Sequence, residues 1–389
     1  MTEVGQEEPL VVFGPRSLAY DFGPQHPLSP RRFGPGIDLL RELGASRFLE
    51  PEGAPDEALA RLHDPAYVEA VRRLSIQPDQ APQFGFDRWG DNPPFCGMHE
   101  AAAAVAGGSL AAMEQILEGR TRRAFHPGGG LHHAMRSRAS GFCIYNDVAL
   151  AVARARDAGH RVLYVDIDVH HGDGVQALFW NDPQVLTVSL QETGEVLFPG
   201  TGFASEIGGP TAAGTAVNVP LQPGTGDRSW LAAVQTIVPA LAEAFRPTML
   251  VTQQGCDTHV WDPLAHLCVT TAGQAAAAAL LDAVANRHTG DRWLVTGGGG
   301  YDAFRVVPRA WAIAWLTLTK EPIPQEVPSA WRERWEEKAR LAGSGPLPTA
   351  FLDDPSIAPP EDPKLAARNG EVAREALQAA LRYLSSRSA

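Results

Sequence analysis

Short apolar segments that each run into a polar or glycine-rich loop, followed by a helical segment, recur along the chain. β-Branched residues favour strands in these segments, and helical periodicity is seen between them. A strand–helix–strand order makes the strands parallel and places helices on both faces of the sheet. The sequence therefore predicts an α/β fold built on one parallel sheet. The predicted strands are 11–13, 122–125, 162–165, 184–190, 216–221, 248–252 and 293–296.

The remaining segments divide into helices and irregular regions. Prolines exclude a regular helix or inner strand from residues 23–32, and residues 76–94 lack any periodicity and are predicted to form a long loop. Residues 191–210 are predicted to be a glycine-rich loop, and the proline-rich residues 321–363 are expected to be mostly irregular. The predicted helices are 36–43, pieces within 57–75 with a break at Pro65, 98–118, 144–158, 228–245, 272–287 and 365–384.

Composition limits the classes of protein to which the chain can belong. Its 389 residues are 44% hydrophobic and 20% charged, which is typical of a globular protein with a large core. The net charge of −12 argues against nucleic-acid binding, which needs a basic face, but not against a cationic substrate. Four cysteines without C-x-x-C spacing indicate neither a disulfide scaffold nor a structural zinc site. An acidic N-terminus unlike a signal peptide and the lack of a transmembrane-length apolar run predict a cytoplasmic enzyme.

Most polar residues of interest lie in loops that follow predicted strands. In α/β sheets sites form at the carboxyl ends of the strands, so these loops are expected to converge on one rim. Because the rim draws on the chain from about Asp91 to Tyr301, one domain is favoured over two. We expect a flexible tail at 1–10, a catalytic domain at 11–320, and a proline-rich segment with a terminal helix, 321–389, packed on that domain.

The most unusual strand end carries the pattern Asp-x-Asp-x-His. Residues two apart share a face of an extended chain, so Asp166, Asp168 and His170 are predicted to point the same way. Two carboxylates on one face repel each other, and a divalent metal or protonated partners would relieve this repulsion. Gly172 and Gly174 would then permit a sharp turn. A solvated acidic turn is the alternative interpretation.

Asp168 and His170 offer one oxygen and one nitrogen ligand to a metal, and Asp257, after a later apolar strand, is the best third ligand. Such a set leaves an open position for water, as catalytic zinc sites do. It also suits Fe(II) or Mn(II), so the pattern predicts a metal without fixing its identity. Taken alone, Asp257 is more often a helix cap or a turn residue.

Two other glycine loops carry groups suited to acid–base chemistry. His132 and His133 follow three glycines, and one of them, oriented by Asp166 or Asp173, is a candidate general base. Tyr301 follows four glycines and is a candidate hydrogen-bond donor to an oxyanion. A surface histidine pair is the alternative for the first loop, and a phosphate-binding loop for the second. The phosphate loop is disfavoured because G-x-x-x-x-G-K-[ST] is absent.

Loop aromatics are predicted near the same rim. Phe142 follows Gly141, and Phe198 precedes a Pro-Gly pair. Two aromatic rings can line a tube for an alkyl chain, although most loop phenylalanines only pack against their neighbours.

Together these motifs resemble the zinc-dependent histone deacetylase family, in the family's order and over roughly residues 20–320. Two further motifs, 97–101 and 262–266, resemble its bacterial acetoin-utilization branch. The motifs shared with the family are Gly-Gly-Leu-His-His-Ala at 129–134, Gly-Phe-Cys-Ile-Tyr-Asn-Asp at 141–147, Asp-Ile-Asp-Val-His-His-Gly-Asp-Gly at 166–174, Phe-Pro-Gly-Thr-Gly at 198–202 and Gly-Gly-Gly-Gly-Tyr at 297–301.

The resemblance implies a single-domain arginase/deacetylase α/β fold and hydrolysis of N-ε-acetyl-lysine amides with release of acetate. It implies a zinc ion held by Asp168, His170 and Asp257. The implied catalytic residues are His133 as general base with Asp173, His132 as an electrostatic histidine with Asp166, and Tyr301 as the residue that polarises the amide carbonyl.

The resemblance also implies binding residues. The implied acetyl-lysine tunnel has Gly141, Phe142 and Phe198 in its wall, Leu264 at its rim, Asp91 holding the substrate backbone at its mouth and Arg32 on an acetate exit path. An implied structural potassium ion would use Asp166, Asp168 and Ser189 with the main-chain carbonyls of His170 and Leu190. Gln191, where the family often has His, and Cys256, where Ala is common, depart from the family pattern.

The sequence leaves three alternatives to a protein-lysine deacetylase. An acetylpolyamine amidohydrolase would use the same site, and an arginase-like ureohydrolase would need two manganese ions and more bridging carboxylates. A catalytically inactive acetyl-lysine-binding module is the third, although the complete residue set argues against it. The acetoin-utilization resemblance suggests an acetylated acyl-CoA synthetase as the protein substrate. The oligomeric state cannot be read from the sequence.

Overall fold

The computed structural model describes residues 8–80 and 83–387 and contains one eight-stranded sheet. All strand pairs are parallel, in the order β2-β1-β3-β8-β7-β4-β5-β6. The predicted parallel α/β sheet is therefore confirmed. The strands are β1 Leu10–Val12, β2 Phe48–Leu49, β3 Arg123–His126, β4 Val162–Asp166, β5 Val185–Ser189, β6 Ala216–Asn218, β7 Met249–Gln253 and β8 Trp293–Thr296.

Helices cover both faces of the sheet, as predicted. The alternation of side chains along β4 explains the two cores, since Leu163 and Val165 pack on one face and Val162 and Tyr164 on the other. α2–α6 line the Val162 side, and α1 with α7–α11 lines the Leu163 side. The helices are α1 Phe33–Glu42, α2 Asp56–Leu59, α3 Pro65–Ile76, α4 Met98–Leu117, α5 Asp147–Asp157, α6 Asp173–Leu178, α7 Asp227–Phe245, α8 Thr271–His288, α9 Val307–Thr319, α10 Ser329–Leu341 and α11 Pro363–Arg387.

Sequence analysis missed β2, α6 and α9, and the prediction of a mostly irregular segment at 321–363 is wrong at α10. α10 is strongly polar, and only two of its 13 residues, Trp331 and Ala339, are buried. It is held instead by indole hydrogen bonds, from Trp331 to the carbonyl of Pro35 (2.8 Å) and from Trp335 to Asp38 (2.7 Å). Long-range anchors of this kind leave no hydrophobic period in the sequence.

The ends of the chain are described in part. The predicted tail at 1–10 falls mostly on residues 1–7, which lie outside the described residues, and Leu10 is already buried in β1. At the other end, α11 packs along α7 and α10 packs on α1. No helix within 8–80 and 83–387 is long and apolar enough to cross a membrane.

The last residues of five neighbouring strands lie in register. His126 pairs with Thr296, Thr296 with Gln253, Gln253 with Asp166, and Asp166 with Ser189. The loops after these strands therefore leave the sheet at one level, which brings them to a common rim.

Candidate active site

Three buried ligand atoms meet at this rim. The side chains of Asp168, His170 and Asp257 each offer one ligand atom, and these atoms lie within 4.8 Å of one another. His170 Nδ1 is 3.2 Å from Asp168 Oδ1 and 3.1 Å from Asp257 Oδ2. Two carboxylate oxygens and one imidazole nitrogen at this spacing fit a divalent metal of the zinc or iron type.

The two buried carboxylates of this cluster need a positive charge beside them. Burial alone lowers the pKa of His170, but its hydrogen bonds to Asp168 and Asp257 outweigh this effect and raise the pKa to about 10. Burial, together with the charge of Asp168, raises the pKa of Asp257 to about 6. A proton on His170 and a divalent cation are alternative ways to neutralise the same two carboxylates.

The backbone reaches this arrangement by turns, so the prediction of an extended chain through His170 is wrong. β4 ends at Asp166. The Asp168 N–H then donates to Asp166 Oδ1 (3.2 Å), and the His170 N–H donates to Asp168 Oδ1 (3.0 Å). Each aspartate bonds the amide two residues on, which curls the chain and folds both carboxylates inward.

Gly172 and Gly174 are required because a side chain would collide with its neighbours at either position. The prediction that they permit a sharp turn is wrong. Neither Gly172 nor Gly174 has a positive φ, and Asp173 opens α6 between them. A Cβ at Gly172 would collide with Asp166 Oδ2. One at Gly174 would lie 2.5 Å from the carbonyl oxygen of His132.

The paired histidines lie directly beside the metal cluster. His132 Nδ1 is 2.7 Å from Asp166 Oδ2, and His133 Nδ1 is 2.7 Å from Asp173 Oδ1. Their Nε2 atoms face each other at 3.0 Å, and His132 Nε2 is 3.9 Å from Asp168 Oδ1. The structure thus joins each predicted histidine to one of the two predicted carboxylates.

The two rings differ in basicity. Burial alone lowers the pKa of His132, but the carboxylates of Asp166 and Asp168 outweigh it and raise that pKa to about 9. Burial and the charge of His132 lower the pKa of His133 to about 4. At neutral pH His132 is therefore cationic and His133 is neutral, so the Nε2–H of His132 faces the unprotonated Nε2 of His133, which is the atom that can take up a proton.

Tyr301 and the two histidines line one narrow cavity. Asp168 and His170 line it too. The Tyr301 N–H donates to Asp262 Oδ2 (2.9 Å), which anchors the glycine loop. Burial raises the pKa of the Tyr301 phenol well above its usual value, so the hydroxyl keeps its proton and remains a hydrogen-bond donor.

Of the predicted tunnel residues, Gly141 and Phe142 line this cavity, and Phe198 lies beside His133. Phe142 packs edge-on against Tyr301 at 5.9 Å, and Phe198 packs against His133 at 5.0 Å between ring centroids. A Cβ at Gly141 would come within 2.5 Å of His133 Cδ2 and 2.7 Å of Phe198 Cε1. Only glycine fits at this position without displacing the wall.

The other predicted binding residues lie farther from the ligand atoms. Asp91 is exposed, and its carbonyl oxygen lies 3.2 Å from His26 Nε2. Leu264 is half-buried and follows Asp262, whose Oδ1 accepts its N–H at 3.0 Å. Arg32 is buried, donates to the carbonyl of Gly298 (2.8 Å), and lines a second cavity of about 270 Å³ that also contacts Tyr301.

The residues predicted to hold a monovalent cation are also buried. Asp166, Asp168 and Ser189 are at most 6% exposed, and β4 and β5 bring Asp166 opposite Ser189. Ser189 Oγ is buried without a hydrogen-bond partner among the described residues. An orphaned hydroxyl beside two carboxylates fits a cation bound by oxygen atoms.

Three residues that hold the site in place were not predicted from the sequence. Gln253 Nε2 donates to Asp168 Oδ2 (2.7 Å), and the Tyr164 hydroxyl donates to Asp166 Oδ2 (2.5 Å). Asp147 accepts the amide of Leu131 at 2.7 Å and so fixes the histidine loop. Tyr164 was detectable, because it shares a strand face with Asp166, and Gln253 directly follows the predicted strand 248–252.

Comparisons with known proteins agree with this geometry. Residues 26–318 match the histone deacetylase domain family. The chain is 37% identical over 379 residues to the acetoin utilization protein AcuC of Bacillus subtilis (strain 168), covering 95% of this chain and 97% of that protein. It is 37% identical over 352 residues to AcuC of Staphylococcus xylosus, covering 88% and 90%. The crystal structure of an HDAC homologue complexed with SAHA matches with a TM-score of 0.81 at 26% identity, covering 95% of this chain and 100% of that one.

Proposed function

Because the chain belongs to the histone deacetylase family, we propose that it is a zinc-dependent deacetylase that hydrolyses N-ε-acetyl-lysine amides in proteins and releases acetate. One observation carries the proposal: two of the three metal ligands, Asp168 and His170, line one narrow cavity with Tyr301 and with the two histidines that are each paired to a carboxylate. Amide hydrolysis needs a polarised carbonyl, a deprotonated water and a proton for the leaving amine, and these groups supply each of them.

Asp168, His170 and Asp257 would hold the metal, which when bound supplies Lewis-acid polarisation of the acetyl carbonyl and a lowered pKa for the attacking water. We propose Zn²⁺, although the same ligand set also suits Fe²⁺. Gln253 and the Gly299 N–H, each bonded to Asp168 Oδ2, at 2.7 and 2.8 Å, fix the direction of that carboxylate.

His133 is the proposed general base. It is neutral at pH 7, it lines the cavity, and its bond from Nδ1 to Asp173 leaves Nε2 as the proton acceptor. His132, held cationic by Asp166, stabilises negative charge that develops next to it. Once His133 has taken the proton from water, it can pass that proton to the departing lysine amine.

Tyr301 is the proposed donor to the oxyanion. Its phenol stays protonated, and its main-chain link to Asp262 holds it at the cavity wall. The acetyl carbonyl oxygen would receive this hydrogen bond as it gains charge. Gly141, Phe142 and Phe198 would enclose the lysine alkyl chain, Leu264 would lie at the rim, and Asp91 would hold the substrate backbone at the mouth.

Three further assignments belong to this proposal. Arg32 would line the acetate exit, since it borders the cavity behind Tyr301. A structural K⁺ would bind Asp166, Asp168, Ser189 and the carbonyls of His170 and Leu190, as the orphaned Ser189 hydroxyl supports. We also propose a cytoplasmic protein, because all four cysteines are free thiols.

For the organisation of the chain, we propose a catalytic domain that begins at β1 and runs to about residue 320, followed by an accessory segment at 321–389. The packing of α10 on α1 and of α11 on α7 supports an accessory segment that packs on the catalytic domain. An acetylated acyl-CoA synthetase is the proposed protein substrate, on the strength of the similarity to the AcuC proteins.

The test compares acetate release from an acetyl-lysine peptide and from N-acetylputrescine, each with and without a chelator. We expect faster, chelator-sensitive turnover of the peptide, and a loss of about 100-fold or more in Tyr301→Phe and His133→Ala with metal retained. Faster turnover of N-acetylputrescine would indicate an acetylpolyamine amidohydrolase, which the net charge of −12 makes the leading alternative. No turnover of any acetylated substrate despite bound metal would indicate a binding module.

A further inference from the structure

Asp353 lies beyond the part of the chain that matches the family, yet its carboxylate is buried against that part. The match to the deacetylase domain ends at residue 318, whereas the side chain of Asp353 is 4% exposed and contacts three residues of the matched part. We propose that Asp353 is a positioning residue that holds the loops of the metal ligand Asp257 and of Tyr301 in their working geometry. This inference rests on the proposed function.

The Asp353 carboxylate is fully engaged by partners from the catalytic part. Its Oδ1 accepts from Arg309 Nη1 (2.7 Å). Its Oδ2 accepts from His259 Nε2 (2.8 Å) and from both the hydroxyl (2.7 Å) and the N–H (3.1 Å) of Thr271. Charge-assisted bonds in a buried setting are strong and directional, so this carboxylate fixes the relative positions of three segments.

His259 connects Asp353 to the metal-ligand loop. It lies two residues after Asp257, and its side chain is fully buried. Its Nδ1 accepts the N–H of Trp261 (3.1 Å), so Nε2 carries the proton that it donates to Asp353. Hydrogen bonds at both nitrogens fix the orientation of the ring. Through the ring they hold the backbone between Asp257 and Asp262 in place.

Arg309 connects Asp353 to the Tyr301 side of the site. Arg309 lies on α9, which follows the Tyr301 loop, and its Nε donates to the carbonyl of Arg305 (2.7 Å). Its guanidinium also lies over the ring of Trp261, 5.7 Å from the centroid. Asp353 thus joins the loop after β7 to the loop after β8, which together supply Asp257, Asp262 and Tyr301.

Asp353 acts through these residues and not on the substrate, because it does not line the cavity of the metal ligands. We therefore predict that a substitution of Asp353 changes the affinity for the metal and its coordination geometry. A loss of fold stability alone would not change them. Glu361 provides a matched control from the same segment. It accepts from Ser229 and from the N–H of Gly226 (3.1 Å) at the start of α7, and these bonds involve none of the three partners of Asp353.

The experiment measures Zn²⁺ affinity by chelator competition, and the visible absorption of the Co²⁺-substituted protein, for wild type, Asp353→Asn and Glu361→Gln. We expect Asp353→Asn to bind Zn²⁺ about tenfold more weakly and to shift the Co²⁺ bands, whereas Glu361→Gln lowers the melting temperature but leaves both unchanged. Wild-type affinity and spectrum in a folded Asp353→Asn would overturn the proposal, as would equal effects of the two variants.

His259→Gln cuts the same connection from the other end and decides the question if Asp353→Asn does not fold. We expect a similar loss of Zn²⁺ affinity, with no further loss when both changes are combined. Unchanged Zn²⁺ affinity in His259→Gln would refute the link. Because these measurements use no substrate, a wrong substrate assignment would leave them intact, so the two proposals fail independently.

Discussion

The Nε2 atoms of His132 and His133 lie 3.0 Å apart, yet the two rings hold their protons very differently. Asp166 and Asp168 overcome burial and raise the pKa of His132 to about 9, whereas burial and the His132 charge lower that of His133 to about 4. One histidine is thus a fixed cation and the other a free base across the neutral range. A pair of groups with separated pKa values is what acid–base catalysis requires.

The first prediction concerns this pair. A raised histidine pKa means that the His132 cation persists below about pH 9 and disappears as the pH rises through that value. The kcat/KM for an acetyl-lysine peptide is therefore expected to fall above about pH 9. His132→Asn, which lacks the charge at every pH, should be slower but should lack this alkaline limb. An unchanged limb in the variant would assign it to another group.

The second prediction separates scaffold from chemistry at Asp166. Its Oδ2 receives both the Tyr164 hydroxyl (2.5 Å) and His132 Nδ1 (2.7 Å). Asp166→Asn is expected to lower the free energy of unfolding by about 2 kcal/mol and to slow turnover, because a buried charged acceptor is lost. Tyr301→Phe is the control, with slow turnover at a wild-type melting temperature. Equal melting points for the two variants would remove the scaffold role of Asp166.

The third prediction tests the tunnel wall. Gly141→Ala places a Cβ against His133 and Phe198 at a residue with φ of +48°. We expect kcat/KM to fall at least about tenfold with metal content unchanged, because the alkyl channel narrows. Gly44→Ala is the matched control, since its φ of +88° imposes similar backbone strain while nothing lies within 4 Å of the new Cβ. Wild-type kinetics in Gly141→Ala would show that the tunnel runs elsewhere.

The fourth prediction concerns acid stability. Burial alone raises the pKa of Asp353, but the hydrogen bond from His259 and the charge of Arg309 outweigh it and hold that pKa well below its usual value. A depressed carboxyl pKa stabilises the fold fully above the unfolded-state pKa of about 4, and this stabilisation is lost gradually as the pH falls from that value through the lower folded-state pKa. The free energies of urea unfolding of wild type and Asp353→Asn should differ by a constant amount from pH 8 to 5, and this difference should shrink gradually below pH 4. A difference that has already vanished at pH 4 would contradict the shift.

The sequence predicted the sheet and most of the site because both depend on local patterns. β8 was predicted at its observed bounds, and the loops carrying Asp168, His133 and Tyr301 follow predicted strands whose ends lie in register. Two kinds of contact were not predictable, because neither leaves a periodic pattern in the sequence. The turn at Asp168 depends on local bonds from side chains to main-chain amides. The hydrogen bond between His259 and Asp353 joins residues that are 94 positions apart.

Gln253 illustrates the same limit within the site. The predicted strand 248–252 stops one residue before Gln253, which is the last residue of β7. The role of Gln253 depends on its pairing with Asp166 on the neighbouring strand, which fixes the direction of its side-chain amide. Cross-strand register between β4 and β7 is set by the whole sheet and not by either strand's own sequence.

We propose that one metal ion, held by Asp168, His170 and Asp257, supports amide hydrolysis at this site. Titrating metal-free protein with Zn²⁺ while following acetate release from an acetyl-lysine peptide tests it most directly. We predict that the metal-free protein releases no acetate, and that the rate of acetate release rises linearly with added Zn²⁺ up to one equivalent per chain. Asp168→Asn should release no acetate at any Zn²⁺ concentration. Turnover by the metal-free protein, or a plateau only at two equivalents, would contradict the account.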